Sequence, residues 1–117
     1  METEEIREYC LGKKAVTEGF PFDNETLVFK VGGKMFLLIS LEKHPATFSA
    51  KADPEWNEEL RENYPQISGA YHMNKTHWNS VLCEGLKKEL ILKLIDHSYD
   101  LVFKSLTKKL QAEILNS

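Results

Sequence analysis

Thr26-Leu-Val-Phe-Lys-Val-Gly-Gly-Lys-Met-Phe-Leu-Leu-Ile-Ser-Leu41 consists of two β-rich runs, 26–31 and 34–41, separated only by Gly32-Gly33. Two glycines accept the positive φ angles of a primed two-residue turn, so the runs form a tight hairpin. A two-residue loop also sets the register: Val31 faces Lys34, Phe29 faces Phe36 and Leu27 faces Leu38. On the other face Lys30 pairs with Met35 and Val28 with Leu37, which puts Lys30 and Lys34 beside the tip, one on each face.

Upstream of the hairpin, Ala15 to Phe20 reads as a strand that ends in a Pro-Phe-Asp-Asn turn. Before it, Thr3 to Leu11 reads as a short helix, with Thr3 as N-cap, Glu4 and Glu5 at its positive end and Gly12 to close it. Ile6, Tyr9 and Cys10 are spaced to face inward. Downstream, Ala46 to Ala52 alternates as a strand, and Asp53-Pro54 opens a helix with Asp as N-cap and Pro at the first helical position. In that helix Trp56, Leu60 and Tyr64 share one face, Glu55, Glu58, Glu59 and Glu62 turn outward, and Pro65 marks the end. Two short strands, around Ala70 to Met73 and Trp78 to Cys83, are joined through Asn74-Lys75-Thr76-His77. From Leu86 the spacing is helical through Leu90, Ile91, Leu94, Ile95 and Val102, bends near Ser105 and resumes at Leu106, Leu110 and Ile114. The order is therefore α-β(3–4)-α-β(2)-α, with hairpins in place of βαβ crossovers. This is an antiparallel α+β domain with helices packed on its sheet. It spans residues 1–117, with 107–117 as a C-terminal helical extension.

A chain of 117 residues can bury roughly 65% of its unfolded surface, enough to fold without disulfide or metal. No apolar run reaches the ~20 residues of a membrane span. The acidic start, Met1-Glu-Thr-Glu-Glu5, is unlike a signal or transit peptide, so a cytoplasmic location is expected. Cys10 and Cys83 then read as two buried thiols. The net charge of −3 counts against binding to phosphates: residues 1–50 hold 6 basic and 8 acidic residues, and residues 51–117 hold 9 and 10. A positive face has to come from clustering in three dimensions.

Four segments carry a resemblance. They are Phe29-Lys-Val-Gly-Gly-Lys-Met-Phe36, Ala50-Lys-Ala-Asp-Pro-Glu55, Tyr71-His-Met-Asn-Lys-Thr-His-Trp-Asn79 and Asp96-His-Ser-Tyr-Asp-Leu-Val102. In their order and chemistry the chain resembles the MmcQ/YjbR family. The resemblance implies a compact antiparallel sheet backed by helices, similar to type III secretion chaperones, and a DNA-binding protein whose hairpins act as paired wings. The family pattern often ends in Leu-Pro and basic residues, whereas here Leu106-Thr-Lys-Lys109 runs on into amphipathic sequence.

Each candidate contact residue has a bland reading beside the functional one. Lys30 and Lys34 at a protruding tip, with Lys51 on the polar face of the next strand, can meet phosphates; lysines also keep a sheet edge soluble. In the 72–79 segment Lys75 can meet phosphate, Asn74 and Asn79 can read base edges, and an exposed Trp78 with His77 can stack and support them. Alternatively Trp78 and Tyr71 are core aromatics and the asparagines hold a turn. His72 and His77 fall on opposite faces of a strand and lack a third ligand, so no metal or other cofactor is expected. Ser98 beside Tyr99 has no assignable base; both are expected to pack the long helix on the sheet, and no enzyme site is expected. The leading expectation is a DNA-binding module that uses Lys30, Lys34, Lys51 and Lys75, supported by His77 and Trp78. Four phosphate contacts would weaken binding roughly 100-fold between about 50 and 200 mM salt. The rival is a protein-binding adaptor using a sheet edge or the C-terminal helix. In either case the chain is expected to be a monomer or weak homodimer without membrane association.

Overall fold

The computed structural model describes residues 1–70 and 73–117. In chain order its elements are α1 (Thr3–Leu11), β1 (Val16–Gly19), β2 (Thr26–Val31), β3 (Lys34–Ser40) and β4 (Thr47–Lys51). These are followed by α2 (Pro54–Asn63), β5 (Ile67–Gly69), β6 (Trp78–Leu82), α3 (Lys88–Ser105) and α4 (Lys108–Leu115). The strands form one six-stranded antiparallel sheet in the order β1-β2-β3-β4-β6-β5. The α+β class and the element order are those expected from the sequence. The core lies between one sheet face and the helices. Phe29, Leu37, Ile39, Phe48 and Val81 from the strands meet Ile91, Leu94, Ile95 and Val102 of α3, with Ile6 and Cys10 of α1 and Ile114 of α4 completing it.

Several local expectations are corrected. The turn glycines have φ of +57° and +84°, the primed geometry that Gly-Gly permits, and Val31 pairs with Lys34 and Lys30 with Met35. Beyond that the register shifts: Phe29 faces Leu37, Val28 faces Leu38 and Leu27 faces Ile39. Phe36 is the extra residue of a β-bulge, so Phe36 and Leu37 both turn to the core side in succession, where a regular strand alternates. Nor does the tip protrude as a wing. A Cβ built on Gly32 would lie 2.7 Å from Leu106 Cδ1 and 3.2 Å from Leu110 Cδ2, so the turn backbone is seated on the α3–α4 junction. Helix α1 is capped by Glu2 rather than Thr3, through a reciprocal bond with Glu5. The strand expected at Ala70 to Met73 lies earlier, at Ile67–Gly69, because Ala70 already begins the turn. Residues 71 and 72 of that expectation lie outside the described residues.

The segment Asp96-His-Ser-Tyr99 explains how α3 is held. Asp96 accepts from the Tyr9 hydroxyl at 2.6 Å and from Lys13 Nζ at 2.6 Å, tying α3 to α1. His97 Nε2 accepts from the Asp53 amide at 3.1 Å, at the start of α2, where Asp53 itself makes no side-chain cap. The buried Ser98 hydroxyl donates to the Phe36 carbonyl and accepts from the Lys51 amide at 2.9 Å. It thereby bridges β3 and β4 where the bulge has ended their pairing. Tyr99 donates to the Lys14 carbonyl at 2.6 Å and meets Phe36 edge-on, with ring centroids 5.4 Å apart.

Both cysteines are buried, and burial pushes the Cys10 thiol up to about 12 and the Cys83 thiol to about 11. Neither should react with a thiol reagent such as DTNB at neutral pH in the native protein, and both should react in urea. Rapid labelling of either thiol in the folded state would contradict this packing.

Candidate nucleic-acid interface

Side chains alternate across the sheet, so the strand residues opposite the core define its second face. In β4, Phe48 and Ala50 point into the core while Thr47, Ser49 and Lys51 point away. Following the pairing outward, that face presents Lys30, Val28 and Thr26 from β2, Met35 and Leu38 from β3, Trp78 and Ser80 from β6, and Ser68 from β5. The described helices that contact the strands lie on the core side, so this face is free of helices, with Val28 and Trp78 buried in it at 1% and 7% exposure. Among the described residues, its strand positions carry two lysines, Lys30 and Lys51, and no carboxylate. The acids are elsewhere. Glu55, Glu58, Glu59 and Glu62 stud α2, Glu4, Glu5 and Glu8 stud α1, and Glu18 points to the core side, where Arg7 Nη2 meets it at 2.7 Å. A chain of net charge −3 thus keeps its acids off the strand positions of this face, while most of its lysines, like its acids, lie elsewhere.

Lys30 and Lys51 stand in one transverse row, on β2 and β4, two interstrand spacings or roughly 10 Å apart. Lys51 sits directly opposite Trp78, with its Nζ 6.0 Å from the ring centroid. Two shallow grooves cross the same face. One, about 310 Å³, is lined by Thr17, Glu18, Gly19, Phe20, Pro21, Val28 and Lys30. The other, about 350 Å³, is lined by Phe22, Leu38, Lys43, Ser49, Met73 and Ser80. Phe20 and Phe22 remain 47% and 63% exposed. Asp23 also borders the second groove, but its carboxylate accepts from the amides of Glu25 (2.9 Å) and Thr26 (2.7 Å). Those two amide bonds hold its pKa below the usual carboxylate range. Glu25 is raised by its neighbour Glu42, so an acidic pair marks the end of the sheet away from the lysine row.

The structure separates the six residues singled out in the sequence. Lys30, Lys51 and Trp78 come together on the open face, although Trp78 is only 7% exposed and offers little ring surface. Lys34 points to the opposite side, paired with the buried Val31. Lys75 lies beside α2: its carbonyl accepts from Arg61 Nη2, and its Cβ lies 3.3 Å from where a Cβ on Gly69 would be. His77 contributes its backbone, with its carbonyl accepting from the amide of Ala52 at 2.8 Å and from Asn57 Nδ2. Asn79 is no base reader. It is 1% exposed, donates to Asn57 Oδ1 and accepts from Arg61 Nε at 2.9 Å. Asn57 in turn donates to the carbonyls of Ala52 and Thr76, so the Asn57–Asn79–Arg61 cluster holds the 74–79 turn against α2. Asn74 likewise holds the turn, accepting from the Thr76 amide. Phe20, Phe22 and Lys43 were missed: they lie in turns, and only the sheet beneath them shows that they border one face. Among the described residues no group of His, Cys, Asp and Glu is placed to hold a metal, and no helix is long and apolar enough to cross a membrane.

Residues 11–101 match the family model described as YjbR. Among curated proteins, the chain is 38% identical over 96 residues to YbdF of Escherichia coli O157:H7, covering 81% of this chain and 79% of that protein. It is 32% identical over 101 residues to YjbR of Escherichia coli strain K12, covering 85% of each. Among solved structures it is similar to Deinococcus radiodurans DR2400, described by its DUF419 domain, with a TM-score of 0.91 and 41% identity over 97% of this chain and 87% of that one. A Pseudomonas syringae protein, target PsR293, gives a TM-score of 0.74 and 28% identity over 87% of this chain and 99% of that one.

Proposed function

We propose that this chain, a member of the YjbR family, is a DNA-binding module and that the open sheet face is its contact surface. The observation that carries the proposal is the placement of charge: among the described residues, the strand positions of the sheet face that no described helix covers carry Lys30 and Lys51 and no carboxylate. Phosphates approaching there meet Lys30, Lys43 and Lys51 without passing the acidic helices. This moves the contact surface from the hairpin tip, which is occupied by Leu106, to the floor of the sheet. The adaptor reading would draw on the sheet edges and on what α4 leaves in solvent: Ile114 is buried and Leu110 packs on the core, while Leu115 is 61% exposed.

The test is fluorescence anisotropy of labelled DNA at increasing salt. Three phosphate contacts should weaken binding about 40-fold for a duplex, or about 20-fold for a single strand, between about 50 and 200 mM. Lys30→Glu with Lys51→Glu should abolish binding, whereas Lys34→Glu, on the other side of the sheet, should leave it intact. Binding that survives the double reversal would overturn the proposal.

A further inference from the structure

We infer that the DNA taken by this face is a single strand, a conclusion that rests on the DNA-binding reading above and narrows it. The two grooves repeat one arrangement. Each pairs an exposed phenylalanine with a lysine, Phe20 with Lys30 in one and Phe22 with Lys43 in the other, and each also holds one acid engaged by the protein itself, Glu18 by Arg7 and Asp23 by the amides of Glu25 and Thr26. A polynucleotide repeats a flat apolar base and an anionic phosphate, so a ring and an ammonium repeated side by side match two successive nucleotides. The exposed rings are the discriminating feature. Phenylalanines at 47% and 63% exposure leave apolar faces in water unless something stacks on them. A duplex has its base faces already stacked and offers only phosphates and groove edges. An unpaired strand offers both parts at once.

The groove floors fit the same occupant. At about 310 and 350 Å³ they are shallow clefts of small-ligand size. Between the rings and lysines the floor is hydroxyl-rich, with Thr17, Ser40, Ser49 and Ser80 placed to donate to phosphate or base oxygens, while the hydroxyls of Thr26 and Thr47 donate to Asp23 and to the Pro45 carbonyl. Leu38 and Met73 add an apolar patch in the second groove, where a thymine methyl gains contact that uracil lacks. The preferred strand is therefore deoxypyrimidine DNA rather than RNA. Lys51, beyond the grooves in the row with Lys30, extends the cationic path by one phosphate toward Trp78.

The experiment compares a labelled oligo-dT of about 12 nucleotides, a duplex of the same length and an oligo-U RNA, all by anisotropy at low salt. It uses the full chain and a Phe20→Ala/Phe22→Ala variant. Oligo-dT should bind at least tenfold tighter than the duplex and tighter than oligo-U. The double variant should lose roughly tenfold per ring on oligo-dT while its duplex affinity stays unchanged. Both rings are exposed, so the variant should keep its circular dichroism spectrum and urea midpoint, which separates lost stacking from lost folding. Duplex bound as tightly as oligo-dT, with both unaffected by the phenylalanine changes, would overturn the single-strand inference and leave the DNA-binding proposal standing. Tighter binding of oligo-U would overturn the assignment to DNA. Absence of binding to all three probes would overturn both proposals.

Discussion

Asn79→Ala should lower the free energy of unfolding by about 3 kcal/mol and leave the proposed DNA binding of the remaining folded protein unchanged. Asn79 is 1% exposed and its amide is used at both ends, donating to Asn57 Oδ1 and accepting from Arg61 Nε. Truncation leaves the Asn57 oxygen, itself in a residue 1% exposed, without its donor. A buried acceptor stripped of its partner costs about 1–3 kcal/mol, and the space left by the amide adds to that. Arg61 keeps two carbonyls, those of Lys75 and Trp78, so its charge is not stranded. Against a typical domain stability of about 5–15 kcal/mol the loss is a large share, readable as a fall in the urea midpoint at constant m-value. A base-reading asparagine would behave in the opposite way, with unchanged stability and weakened binding. That outcome would refute the structural role.

Gly32→Val should be comparably damaging, at about 3 kcal/mol, whereas Gly33→Val should cost about half as much. Both positions have positive φ, so each substitution forces a β-branched residue into the left-handed region. Only at Gly32 does the new side chain also run into protein. Its Cβ would fall 2.7 Å from Leu106 Cδ1, and Leu106 is 6% exposed and hemmed in. At Gly33 nothing lies within 4 Å. The difference between the two unfolding energies therefore measures how firmly the turn is seated on the α3–α4 junction. Equal losses would mean that the tip is free after all, and would restore the wing as a contact element.

The hairpin was legible because two adjacent glycines between β-rich runs permit few other structures. Its register was not. Phe36-Leu37-Leu38 is apolar throughout, so no alternation marks the bulge that turns both Phe36 and Leu37 inward. The strand Ile67–Gly69 is three residues long, too short to show a period, and the apolar Ala70 that follows drew the reading downstream. The facing of Lys51 was legible from Phe48, Ala50 and Ala52, but which sheet face would stay uncovered depends on where the helices dock. That docking rests on contacts such as Asp96 with Tyr9, far apart in the chain. Phe20 and Phe22 escaped for a different reason: apolar residues are by default assigned to a core, and only coordinates show a ring left in solvent. Asn57, among the acids of α2, gave no signal because its partner Asn79 lies on another element.

The bonds made by Asp96, His97, Ser98 and Tyr99 also bear on how the chain reaches this state. They join residues separated by 87, 44, 62 and 85 positions. The β2–β3 hairpin closes over two residues and can form within microseconds, but a sheet without α3 leaves its bulge unbridged and its core face wet. Consecutive helix positions point about 100° apart, so these four reach out around the whole helix, and a one-residue slip would misplace all of them together. Docking of α3, with its high contact order, is therefore expected to come late and to limit the folding rate, so that destabilising substitutions in this segment should slow refolding. The early strands would then wait, paired but unpacked, for the last quarter of the polypeptide.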